Sequence, residues 1–259
     1  MQTRLTAGLQ RRLSSLGLWP AKDDRAVEYD GFVLPPRALR FCGQEFQDDA
    51  YYLKSARLEA ARLSRHCGLA KDKRVLDVGC GPGRLAIGIL AELGEVAEYL
   101  GLDVHRPSIE WCEKNIATRH PKFRFEHVDV ENERYNPDGR AVRSDTRLPV
   151  ASSSMDVANL YSVFSHMTYG DIVRYLGELR RVIAPAGRVF LTAFVEEDVP
   201  NYSINPPGYL EPWQGALHCV RFSRAFFDSM LDEQGFRVER FDHGRETNGQ
   251  SAYYLAPVS

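Results

Sequence analysis

A chain of 259 residues is long enough to bury a sizeable core as one large α/β domain with an appendage. Its 33 basic and 35 acidic side chains leave a formal net charge of −2, which excludes a broad field for gathering nucleic acid or anionic membrane and suits a small, roughly neutral partner. Five cysteines (Cys42, Cys67, Cys80, Cys112, Cys219) are odd in number and lack Cys-x-x-Cys spacing, so neither a disulfide framework nor a zinc site is expected, and the thiols fit a reducing cytosol.

Residues 1–22 hold Arg4, Arg11 and Arg12 and no acid, with Leu5, Leu9, Leu13 and Leu16 on one helical face. They read as an amphipathic helix packed on the main body, or as an organellar transit peptide. No run approaches the roughly 20 apolar residues that span a bilayer. Residues 20–47 form an irregular aromatic segment and 49–67 a helix, so the first 70 residues are expected to be an N-terminal cap.

From residue 72 onward, short β-like runs alternate with helical periods, the pattern of a parallel sheet covered by helices. Residues 74–78 are a strand, followed by a glycine-rich turn and a helix through Leu85, Ile89, Leu90 and Leu93 that Gly94 closes. Residues 99–104 are the second strand, and Pro107 opens a helix with Ile109, Cys112 and Ile116 inward. Alternation at Phe123, Phe125, His127 and Asp129 predicts a third strand, a polar stretch 131–154 follows, and residues 155–161 are the fourth. A helix over 171–183 leads to the fifth strand, 189–194. Residues 195–222 are too long for an ordinary connection and read as a functional loop. Ser223 caps a last helix, and strands over 236–241 and 251–255 bring the sheet to seven.

The most informative string is "RVLDVGCGPGRLA". Glycines where a strand turns into a helix supply positive φ and let a ligand approach the backbone. Arg84 stands where a dinucleotide fingerprint needs its third glycine, and no Gly-Lys-Ser/Thr follows. Asp77 would repel a pyrophosphate and favour an ammonium group, so the loop suits a zwitterion.

Asp77, Gly79, Cys80, Gly81, Pro82 and Gly83 resemble the first motif of the class I S-adenosylmethionine-dependent methyltransferases. The resemblance covers residues 72–195 and implies a Rossmann-like, mostly parallel α/β sheet with helices on both faces, with 71–259 as the methyltransferase domain. It implies S-adenosylmethionine as cofactor, the glycine loop holding its amino acid part. Asp103 ("YLGLDVH") would accept from both ribose hydroxyls, to which two carboxylate oxygens are suited. Asp129 ("FEHVDVEN") would accept from the adenine amino group, with Val104, His105 and Val130 bordering the adenosine. Tyr161 and Ser162 ("DVANLYSVFSHM") would offer backbone groups to the methionine end.

His166, four residues past Ser162, is the candidate general base or else a cofactor contact, because histidine titrates near neutral pH. His218 is a second candidate. Aromatic residues outside the cofactor core, Tyr29, Phe32, Tyr51 and Tyr52 before it and Tyr202, Tyr209 and Trp213 after the fifth strand, would line a small-molecule acceptor pocket or glue the cap to the sheet. The string "INPPGY" (residues 204–209) spells part of an amine-methylation motif. It follows the fifth strand instead of the fourth, so it reads as a wall or lid over the acceptor, within 195–222. The reading is a cytoplasmic O- or N-methyltransferase of a small, specialised metabolite, a monomer or homodimer, with no metal, nucleic acid or membrane. The alternatives are a nucleic-acid or protein methyltransferase, or a cofactor-binding protein without transfer activity.

Overall fold

The computed structural model describes residues 26–41, 43–141 and 147–258. The pattern of residues 1–22 and Cys42 lie outside the described residues.

A short hairpin, Val27–Tyr29 (β1) with Phe32–Leu34 (β2), precedes the helix Asp49–Cys67 (α1). Asp48 starts α1 by accepting the Tyr51 N–H at 2.8 Å, and Gly68 ends it in the left-handed region. The alternating part then begins with Arg74–Val78 (β3), Arg84–Leu93 (α2), Glu98–Asp103 (β4), Arg106–Cys112 (α3, continued by a π turn) and Phe123–His127 (β5). Met155–Leu160 (β6), Tyr169–Val182 (α4), Ile183–Glu196 (β7), Tyr202–Ile204 (β8) and Val220–Ser223 (β9) follow. Arg224–Glu233 (α5), Phe236–Asp242 (β10) and Ser251–Pro257 (β11) end the chain.

The sheet runs β5-β4-β3-β6-β7-β11-β10, its first five strands parallel, β11 antiparallel to both its neighbours and β10 running with the first five. Side chains alternate between its faces. Leu76, Leu100, Ala158 and Leu191 pack into one core with α4 and α5, while Val75, Tyr99, Val157 and Phe190 pack into the other with α1, α2 and α3. Burial on both faces explains why these strands read as apolar runs.

Helices α1 and α2 cross closely at Gly88, where a Cβ would come within 2.0 Å of the Ala56 carbonyl oxygen. Gly88→Ala is therefore expected to force the helices apart and destabilise the protein by about 1–3 kcal/mol. Urea unfolding measures this, and an unchanged midpoint would show that the crossing yields freely.

The strand reading needs three corrections. The third strand ends at His127 and not at Asp129, because the Val128 N–H closes the ladder on the Asp103 carbonyl at 2.9 Å and the chain then turns, Val130 donating to Val128 at 2.9 Å. The fifth strand begins at Ile183, pairing with Met155 before a register shift near Arg188. The segment 195–222 is no plain loop: β8 and β9 pair antiparallel, and β9 joins β7 in parallel, which brings the sheet to nine strands among the described residues.

Within that hairpin, Asn205 of "INPPGY" is a clasp. Its N–H donates to the Cys219 carbonyl at 2.7 Å, its Oδ1 accepts from the Cys219 N–H at 2.8 Å, and its Nδ2 donates to the Gly215 carbonyl at 2.8 Å.

Candidate active site

At the carboxyl ends of β3, β4 and β6 the chain leaves a cavity of about 470 Å³, at the position where open α/β sheets bind ligands. Its floor is the glycine turn between β3 and α2. The Gly79 and Cys80 N–H groups both donate to the Leu102 carbonyl, at 2.7 and 3.1 Å, and the Gly81 N–H donates to Asp103 at 2.7 Å. Gly81 has φ +51°, and a Cβ there would meet no protein atom within 4 Å: it would project into open space where the turn borders the cavity. The turn is thus a cradle that only glycine leaves clear. Gly83 is not on the cavity wall, since its α-carbon faces Ile116 and Cys112.

Beneath the cradle lies a buried charge cluster. Asp77 accepts from the Tyr99 hydroxyl at 2.6 Å and from Asn159 Nδ2 at 2.7 Å. Asn159 also reaches Glu59 of α1 at 3.2 Å, and Glu59 pairs with Arg84 at 2.8 Å. Burial, with the nearby Glu59 charge second, pushes the Asp77 carboxyl up to about 7. Asn159 Oδ1 is buried without a hydrogen-bond donor. Two acids and an unmet acceptor call for a cation, and Arg84, stacked over the Tyr161 ring at 4.5 Å, calls for an anion. An amino acid moiety carries both, so the residues present fit S-adenosylmethionine. Glu59 and Asn159 were not singled out from sequence, and Arg84 served there only to exclude a dinucleotide. A glutamate on the buried stripe of α1, beside Leu53, Ala56, Ala60 and Leu63, is the signal that could have found Glu59.

Asp103 lies on the cavity wall, with one oxygen accepting the Gly81 N–H and the other the His105 N–H, both at 2.7 Å. Each oxygen keeps a lone pair, enough for a vicinal diol. Burial raises its pKa, while the two amides oppose that. Val104 and His105 also line the cavity; the His105 ring contacts Ser108 Oγ at 2.8 Å and meets Phe41 edge-on at 5.0 Å. Val130 is on the wall as expected, but Asp129 is not. With the strand ended at His127, the Asp129 carboxylate turns into a neighbouring cleft, accepts from Asn136 at 3.3 Å and pairs with Arg140 at 3.4 Å. Val128 borders the cavity in its place.

Tyr161 and Ser162 both reach the wall. Ser162 adopts φ +59°, a left-handed conformation costing about 1–2 kcal/mol in a residue with a side chain. Its N–H is committed to Thr192 Oγ1 at 2.8 Å and its Oγ accepts from Gln250 at 2.8 Å, so its amide is not on offer to a ligand.

The far end of the cavity is bordered by Arg134, Tyr135, His166, Tyr175, Trp213 and His218. His166 Nδ1 lies 2.9 Å from the Leu217 carbonyl, which requires the proton on Nδ1 and leaves Nε2 as the acceptor in the neutral ring. Burial pushes its pKa down to about 4, so it does not titrate near neutrality as histidine ordinarily would. His218 is fixed by Gln214 and meets Trp213 edge-on at 5.1 Å.

Of the aromatic wall residues expected, Tyr52 and Trp213 border the cavity, whereas Tyr29, Phe32, Tyr51, Tyr202 and Tyr209 do not. Tyr29 and Tyr51 are exposed. Phe32 lies under the Arg57 guanidinium at 5.5 Å and Tyr202 packs on Phe222 at 5.4 Å. Tyr209 donates to Glu196 at 2.8 Å, so it braces the hairpin against β7. Folding of 195–222 as a hairpin turns Trp213 inward and leaves these rings as glue. Among the described residues, no three His, Cys, Asp or Glu side chains gather as metal ligands, and no helix is long and apolar enough to cross a membrane.

A glycine cradle over a buried zwitterion cluster, with a strand-end acid set for a diol, defines a class I S-adenosylmethionine-dependent methyltransferase. The chain belongs to the methyltransferase-domain family, whose profile matches residues 69–235. It is 33% identical over 119 residues to an uncharacterized methyltransferase of Schizosaccharomyces pombe, covering 46% of this chain and 39% of that protein. It is 29% identical to the demethylmenaquinone methyltransferase of Thermus thermophilus, covering 47% of each. The chain thus spans less than half the length of these two relatives. An O-methyltransferase of Aspergillus nomiae is 23% identical over 92% of this chain and 100% of its own length. In fold, the chain resembles the Burkholderia thailandensis 1,6-didemethyltoxoflavin-N1-methyltransferase, solved with its acceptor and S-adenosylhomocysteine, with TM-score 0.57, 15% identity and coverage of 100% of this chain and 94% of that one. It also resembles the [4+2]-cyclase SpnF, with TM-score 0.60, 15% identity and coverage of 97% and 94%.

Proposed function

We propose that this protein transfers a methyl group from S-adenosylmethionine to an oxygen or nitrogen of a small organic acceptor of specialised metabolism, working in the cytosol. The observation that carries this reading is the continuity of the cavity: one space of about 470 Å³ joins the Asp77–Glu59–Arg84 cluster to the His166 and Trp213 end. That volume falls within the range of small-molecule sites, roughly 300–1,000 Å³. Full-length alignment with the Aspergillus O-methyltransferase favours oxygen over nitrogen.

When bound, the cofactor supplies a methyl group already activated on a sulfonium. The protein's task is then alignment and exclusion of water, which can supply about 7–11 kcal/mol. In this reading Asp77, Glu59 and Asn159 take the ammonium, Arg84 the carboxylate and Asp103 the ribose, while the Val104, His105, Val128 and Val130 wall borders the base. Tyr161 and Ser162 floor the methionine end, and Tyr52, Trp213 and His218 wall the acceptor. His166 receives a hydrogen bond or proton at Nε2. The fold alone does not dictate transfer, since a cyclase shares it.

Calorimetry with S-adenosylhomocysteine and with NAD tests the cofactor, and S-adenosylhomocysteine release across a panel of phenols, acids and amines tests the reaction. Tight NAD binding without S-adenosylhomocysteine binding would overturn the reading. With an acceptor in hand, His166→Ala at saturating cofactor is expected to slow turnover by about 10²–10⁴. A change of less than about threefold would end the base role. Because the ring stays neutral down to about pH 4, the wild-type rate at saturating cofactor should show no break near the ordinary histidine value of 6.5. The part of the rate that depends on the ring is lost only as pH falls through about 4.

A further inference from the structure

Beside Asp77 on the cavity wall an acceptor, Asn159 Oδ1, lacks a donor. At the acceptor end the buried atoms without partners are donors, Arg134 Nε and Trp213 Nε1. Buried donors left unmet disfavour the empty state and favour a ligand that brings oxygen to them. One is also a charge. The Arg134 guanidinium lies against the Tyr135 ring at 5.5 Å, and no ion pair to it is formed among the described residues.

The nearby acids do not neutralise it. Asp171 accepts from Thr168 at 2.6 Å and pairs with Arg174 at 3.5 Å, while Glu131 and Glu211 border the same cavity from exposed positions at its rim. Arg134 is held by its own loop: Asn132 Oδ1 accepts the Arg134 and Tyr135 N–H groups at 3.1 and 3.0 Å. Asn132 Nδ2 in turn donates to the His166 carbonyl at 3.0 Å, which ties the arginine to the histidine's segment.

We infer that the acceptor presents an anionic oxygen, of the phenolate or carboxylate type, which Arg134 and the Trp213 indole N–H hold beside His166. This deepens the proposed function and rests on it. The surrounding rings, Tyr135, Tyr175 and Trp213, suit a planar body attached to that oxygen. The depressed pKa of His166 is consistent, because a ring that stays neutral beside Arg134 can take the proton of an acidic hydroxyl whose anionic form the arginine stabilises. The Arg134 charge contributes to that depression.

The test uses the full chain saturated with S-adenosylhomocysteine at mildly alkaline pH. The probes are 4-nitrophenolate and 4-nitrobenzoate as the two anionic arms, 4-nitroanisole as the neutral one and 4-nitrobenzylammonium as the cationic one, with binding followed by calorimetry. At least one anion should bind about tenfold more tightly than the neutral and cationic probes, and Arg134→Gln should remove about tenfold of that affinity. Trp213→Phe keeps the ring, loses the donor and should weaken the same probe about threefold. Both variants should bind S-adenosylhomocysteine within about twofold of wild type, which shows that they are folded. The order of phenolate and benzoate identifies the type of oxygen. Equal binding of anionic and neutral probes, absence of probe binding, or full affinity in Arg134→Gln would overturn the inference while leaving the methyltransferase reading standing. Failure of wild type to bind S-adenosylhomocysteine would remove that reading, and this inference with it.

Discussion

Gly81→Val is expected to lower S-adenosylhomocysteine affinity by at least about 100-fold, roughly 2.7 kcal/mol, while leaving the protein folded. The residue stands at φ +51°, and its missing Cβ points into space that no protein atom occupies within 4 Å. A branched side chain there fills the cradle from which the ligand must be held. The fold loses only the cost of a left-handed residue, about 1–2 kcal/mol. The neighbouring Gly79 provides the contrast, because a Cβ at that position would come within 2.5 Å of Val163 Cγ2, so Gly79→Ala should damage stability first. Calorimetry and thermal unfolding separate the two cases. An affinity within about threefold of wild type in folded Gly81→Val would mean that the loop does not cradle the cofactor.

Glu59→Ala should destabilise the protein by about 3–5 kcal/mol, the range for breaking a buried ion pair by removing one partner. Glu59 is 1% exposed, pairs with Arg84 at 2.8 Å and accepts from Asn159, so its loss disturbs the contact of α1 with the sheet as well as the cofactor end of the cavity. Denaturant unfolding reads the first effect, and a loss under about 1 kcal/mol would show that the pair carries little.

The isosteric Glu59→Gln reads the second effect through pH. In wild type the Asp77 carboxyl sits near 7, and the ionised form is the one that holds an ammonium. Cofactor affinity should therefore be fully present above about pH 7 and decline as pH falls below it. Because the Glu59 charge is one cause of the raised value, Glu59→Gln should move this decline to lower pH. A decline that does not move would show that Asp77 titrates independently of its neighbour.

Much of the fold was legible because its signals are local. Apolar runs at β3, β4 and β6 are what burial on both sheet faces demands, and Gly94, Ser223 and Pro107 mark helix ends or starts by the chemistry of their own positions. The glycine turn was legible for the same reason, since positive φ at residues 79, 81 and 83 is a demand on each residue by itself. Asp103 followed from the family resemblance, which implies an acid at the end of the second strand.

The misreadings share one cause. Asp129 continued the alternation of β5, but the chain leaves the sheet two residues earlier, and alternation does not reveal where pairing stops. Tyr202 and Tyr209 were grouped with Trp213 by proximity in sequence, whereas the hairpin of β8 and β9 sends the three rings to different places.

The sequence by itself determined the class of sheet and the glycine turn, because each depends on the burial or conformational limits of residues close together in the chain. Only the tertiary structure decided that Glu59 meets Asn159 across 100 positions, that His166 is locked by Leu217 from 51 positions away, and that Arg134 and Trp213 leave their donors unmet at the same end. Burial and long-range pairing set the charge of a carboxyl or an imidazole, and a side chain's identity carries neither.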